Sequence, residues 1–68
     1  MVVMEEHKVK RYLDDLLIRL EVFGEDKEER QAIMDEFTKV LNFYRNTHQS
    51  FVDEYLARGN EVRGRYEQ

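Results

Sequence analysis

The 68-residue chain has no cysteine, no proline and no tryptophan, and only three glycines and two histidines. Each shortage removes a way of building or using a small protein. Without cysteine there is no disulfide framework and no thiolate metal site, which suits a reducing compartment. His7 and His48 lie far apart in sequence, and neither sits in a Glu-x-x-His or His-Glu-x-x-His pattern. A structural zinc site or a di-metal carboxylate bundle is therefore not expected. No glycine or proline occurs between Glu25 and Arg58, so nothing in that span forces a helix to stop. No apolar run approaches the roughly 20 residues of a membrane span. The opening MVVMEEHKVK lacks the apolar core of a signal peptide, and the expectation is a cytoplasmic protein without a membrane role. The net charge of −4 is spread along the chain with no strongly basic segment, which disfavours general affinity for nucleic acid.

What is present is charge of both signs, 38% of the residues, interleaved in the manner of long helices. A chain of this length buries only about 60% of its unfolded surface on folding. With disulfides and metal set aside, oligomerisation is the remaining way to reinforce it.

Val9, Leu13, Leu16, Leu20 and Phe23 recur at helical spacing, with Val2 one heptad earlier, and predict a helix over about 4–23. Glu6–Lys10 and Asp15–Arg19 add acid-before-base pairs one turn apart. Gly24 is placed to end this helix in a left-handed conformation. Asp26 is a good N-cap, with Glu29 three positions on, and Glu28 and Glu29 suit the positive end of the next helix. The second stripe is Ile33, Phe37, Val40 and Tyr44, flanked by Met34 and Leu41.

Continued in the same phase across the polar stretch Arg45–Ser50, that stripe reaches Thr47 and Phe51, and its flank reaches His48 and Tyr55. The unbroken phase predicts one long helix over about 27–58, ended by Gly59 and Asn60. The alternative is a three-helix bundle with a break near 46–50, where Asn46, Thr47 and Ser50 are weak helix formers and Ser50 can cap a third helix.

The long-helix reading is an all-α antiparallel hairpin. Its first helix is about 30 Å long and its second about 48 Å, so the chain from Asn46 onward overhangs its own hairpin. Phe51, Val52, Tyr55 and Leu56 lie on that overhang, and burying each is worth ~1.5–3 kcal/mol. Tyr12, Leu17, Ile18, Val22 and Phe43 also lie off the main stripes. A single hairpin cannot cover all of these, which predicts a homodimeric helical bundle of four helices. The hairpin domain spans 1–58, and the residues 59–68, GNEVRGRYEQ, are expected to form a flexible tail.

Chemistry is sparse. The adjacent acidic pairs, such as Asp14-Asp15 and Asp53-Glu54, point about 100° apart on a helix and do not converge. There is no glycine-rich phosphate loop and no nucleophile motif. The chain is therefore expected to be no enzyme and to need no cofactor or metal. It reads as a regulatory or adaptor protein that works by protein–protein binding. Phe43, Phe51, Val52, Tyr55 and Leu56 are the candidate interface residues, with Phe43 and Tyr55 the exposed anchors, since aromatics carry much of the energy at interfaces.

The length, the acidic balance, the Asp-containing turn GEDKEE and a second helix ending DEYLARG resemble the Rop family of small plasmid regulators. In that family a helical hairpin dimerises into a four-helix bundle and binds RNA through one helix face. The resemblance implies RNA binding as an alternative function. The first helix offers Lys8, Lys10, Arg11 and Arg19 for it, interrupted by Asp14, Asp15 and Glu21, with Lys8, Arg11 and Arg19 the candidate contacts.

Overall fold

The computed structural model describes residues 5–47 and 49–67. Its elements are α1 (Glu6–Phe23), α2 (Lys27–Tyr44) and α3 (Gln49–Tyr66). Each helix packs against both of the others in a bundle 33 × 20 × 16 Å. The expected starting point of the first helix, Met4, and the stripe residue Val2 lie outside the described residues.

α1 buries Val9, Leu13, Leu16 and Leu20 as the spacing predicts, and Leu17 with them. Phe23, read as a stripe residue, is 53% exposed. Two neighbouring helices shift the buried arc of α1 toward Leu17 and away from Phe23, at the opposite edge of the stripe. Gly24 does not adopt a left-handed conformation: its φ is −65°. Its small size is what matters. A Cβ there would collide with the carbonyl oxygen of Leu20 and with the ring of Tyr66.

α2 begins as expected. The Asp26 carboxylate accepts from the backbone N–H groups of Glu28 (2.9 Å) and Glu29 (3.2 Å), satisfying two of the free donors of the first turn. Ile33, Met34, Phe37, Leu41 and Tyr44 face the core.

The long helix over 27–58 is not formed, and the alternative break near 46–50 is observed. α2 ends at Tyr44 and Arg45–Thr47 form a turn. In it the Arg45 N–H bonds Asn42 O at 3.4 Å and the Thr47 N–H bonds Tyr44 O at 3.2 Å. His48, read as a member of the α2 flank, lies outside the described residues. The reason for the break is burial. Folded back, Phe51, Val52 and Tyr55 are at most 4% exposed, worth ~1.5–3 kcal/mol each. The helical hydrogen bonds given up across a solvated link are worth only about 0.5–1.5 kcal/mol each. The rings of Tyr44 and Phe51 meet across the link at 6.4 Å, and Phe51 meets Tyr55 edge-on at 6.2 Å.

The expected helix end at Gly59 is also corrected, and residues 59–66 of the expected flexible tail over 59–68 are helical, Gln68 lying outside the described residues. α3 continues through Gly59 to Tyr66 and buries Val62. Gly59 is itself buried, and a Cβ on it would stand 2.6 Å from Cε1 of Phe37. Glycine here permits a close approach of helix and ring. Gly64 is the contrast. It is exposed and a Cβ there would meet nothing within 4 Å. Gly64→Ala should therefore raise stability by about 0.5–1 kcal/mol through helix propensity alone, read as a higher urea midpoint with an unchanged m-value.

Candidate functional site

The proposed interface residues divide sharply. Phe51, Val52 and Tyr55 belong to the chain's own core. Leu56 is partly buried against that core. Tyr55 is thus not an exposed anchor, because α3 packs back on its own hairpin and covers it. Of the five, only Phe43 stands out from the surface, at 47% exposed, with its ring edge-on to Tyr44 at 4.9 Å.

Tyr55 is held by α1. Its hydroxyl donates to Asp14 Oδ1 at 2.8 Å and lies 3.5 Å from Lys10 O, while the Arg58 guanidinium sits 5.1 Å from its ring centroid. Burial, then the hydrogen bond and charge of Asp14, push the Tyr55 pKa up to about 12 from 10.0. Linkage sets the sign for stability. Because the folded pKa lies above the unfolded one, the contribution is complete below pH 10 and is lost as the pH rises through about 12. Urea unfolding at pH 9 and pH 11 should show a larger alkaline loss for the native chain than for Tyr55→Phe. Equal losses would place the alkaline transition elsewhere.

The outward face of α1, opposite its core stripe, is the surface most unlike an ordinary solvated helix. Ile18 and Val22, one turn apart, are 57% and 64% exposed. Arg11 and Arg19 flank these residues, with Lys8 further toward the N-terminus. All three cations are exposed, and none forms an ion pair among the described residues. Tyr12, beside this face, donates to Glu36 of α2 at 2.8 Å, and that bond, with burial and the charge of Glu36, raises its pKa.

Ile18 also borders an open groove between α1 and α3, of about 300 Å³, floored by Leu17 and Val62. Its rim charges largely satisfy one another. Arg58 lies 3.9 Å from Asp14, and Arg65 lies 3.7 Å from Glu21 and 3.3 Å from Glu61.

Sequence reasoning missed the clasp at the other end of the bundle. Arg30 donates through Nη1 to Gly24 O at 2.6 Å and through Nε to Glu67 at 3.3 Å. The Tyr66 hydroxyl donates to Glu21 O. Tyr66 continues the α3 stripe Phe51, Tyr55, Gly59, Val62, a signal hidden because one of its members is a glycine. Nothing in the sequence marks Arg30.

Among the described residues no cluster of His, Asp or Glu could hold a metal ion, and no helix is long and apolar enough to cross a membrane. No protein-family model matches the chain, and neither does any curated protein or solved structure.

Proposed function

We propose that the chain is a small non-catalytic regulator or adaptor of the cytoplasm that acts by binding another protein and associates with itself as a helical dimer. The observation that carries the binding reading is the exposed pair Ile18 and Val22 on α1, bordered by the free cations Arg11 and Arg19. Single exposed apolar residues are ordinary, whereas contiguous ones bordered by charge mark contact surfaces. The chemistry fits a partner helix with apolar residues at its centre and carboxylates at its edge, since aromatic and Arg side chains at a contact contribute most when a partner desolvates them.

The test is a pair of substitutions away from the core. Ile18→Glu with Val22→Glu should leave the helical circular dichroism and the thermal midpoint near those of the native chain. It should abolish retention of a partner from an extract of the source cells. Retention undiminished by both substitutions would move the contact elsewhere.

A second reading is supported by the same face. Lys8, Arg11 and Arg19 are exposed and lie within one stripe of α1, with Asp15 between them. RNA binding through them should weaken steeply with salt and fail on charge reversal. A titration against structured RNA that is flat in salt removes this reading.

A further inference from the structure

The geometry points to a dimer in which two copies exchange α3. This inference rests on the reading of the chain as self-associating and supplies its mechanism. Four observations converge on it. First, the core phase of α2 continues through the link into Phe51 and Tyr55, so straightening the link rotates no core residue out of register. Second, the link leaves α2 in helical geometry. Arg45 has φ −55° and ψ −41°, and the two turn bonds, Arg45 N–H to Asn42 O and Thr47 N–H to Tyr44 O, span three residues each. Third, no residue there is a glycine or proline, and positive φ occurs nowhere among the described residues. Fourth, the contacts that hold α3 are made to α1 and α2: Gly59 on Phe37, Tyr55 on Asp14, and Glu67 on Arg30.

A second copy presents the same groove. If the link straightens, α2 and α3 become one rod of roughly 60 Å, and its α3 half docks on the α1–α2 hairpin of the other copy. A two-fold axis at the link makes the exchange reciprocal and closed. The contacts of α3 with α1 and α2 are then made between copies, while those of α1 with α2 stay within each, and the helix gains hydrogen bonds across the link. Phe43, exposed at 47% and one turn before the link, would lie beside the crossing of the two rods and be covered there.

The link residues Asn46 and Thr47 are exposed, so helix propensity can be changed there without touching the core. Asn46→Ala with Thr47→Ala favours the straight rod, and Asn46→Gly with Thr47→Gly disfavours it. Alanine and glycine differ by about 1 kcal/mol per helical position, and the dimer has four such positions, so the dissociation constants should differ by about 10³-fold. Sedimentation equilibrium of both variants from micromolar to millimolar reads this. The second measurement is isotope-filtered NMR on labelled and unlabelled alanine variant, refolded together. It should show the Phe37 ring against the Gly59 Hα between chains. A dimer whose affinity ignores the link, with that contact only within chains, overturns the exchange and leaves self-association standing. Two variants that both remain monomeric at millimolar concentration overturn both.

Discussion

Gly59→Leu should leave the chain unfolded, and Gly59→Ala should cost about 1–2 kcal/mol net. Two terms oppose each other at this position. Replacing a mid-helix glycine by alanine or leucine gains about 1 kcal/mol of helix propensity. Against it stands the ring of Phe37, 1% exposed, whose Cε1 would be 2.6 Å from the new Cβ. That separation is well inside the optimal carbon–carbon contact of roughly 3.5–4.0 Å. The ring cannot simply swing away, because it is enclosed by the core, and overpacking of this kind costs about 1–3 kcal/mol for each small increment. Leucine adds three further carbons in the same place. A domain of this size has only about 3–10 kcal/mol to lose. The cause can be isolated by a double-mutant cycle. Phe37→Leu is a moderate loss by itself, and in its presence Gly59→Ala should become neutral or favourable. Urea midpoints followed by far-ultraviolet circular dichroism give all four corners. A Gly59→Ala variant as stabilised as Gly64→Ala would mean that the ring yields freely and that the close approach holds nothing in place.

The same glycine explains where the fold could and could not be read from sequence. α1 and α2 were legible because their caps and stripes are local: Asp26 caps the helix that begins beside it, and the apolar residues repeat within one helix. The link was harder. Its phase supports a straight helix and its weak helix formers support a break. The deciding quantity is the burial of Phe51, Val52 and Tyr55 against residues more than thirty positions away, for which no local pattern stands. α3 was obscured by residue type. Gly59 as a helix terminator is the better local inference, and only the ring of Phe37 across the interface turns it into a contact. The candidate surface shows the reverse. Ile18, Val22 and Phe43 are visible in sequence as apolar residues off the stripes, and the structure leaves them exposed. Leu17 looks the same in sequence and is covered, since α3 happens to lie on its side of α1. Which off-stripe residues remain free depends on the third helix, and so did the assignment of Tyr55 as an anchor.

Removal of residues 59–68 should abolish cooperative folding, an outcome opposite to that for a flexible tail. The deleted segment carries Val62, 7% exposed, and Tyr66, which is packed against the core cluster. Their transfer to water costs about 3–4 kcal/mol. The loss does not stop at the deleted atoms. Phe37 loses the helix face that covers it, and the Arg30 side chain, which is 11% exposed, loses Glu67. A largely buried guanidinium without its carboxylate is a further penalty, because the charge remains partly desolvated. Together these approach the whole stability of about 3–10 kcal/mol expected at this length. A shorter deletion separates the contributions. A chain ending at Gly64 keeps Val62 and the cover on Phe37 but loses Tyr66 and the clasp, so it should still fold, with stability reduced by about 1–2 kcal/mol. Thermal unfolding of the two truncations beside the full chain decides the matter. If the chain ending at Arg58 unfolds with the native midpoint and enthalpy, then the last two turns of α3 contribute nothing and the packing of Gly59 on Phe37 is incidental. If it loses its transition while the chain ending at Gly64 keeps one, the stabilising part of α3 lies between those two positions, where Val62 and the close approach of Gly59 are found.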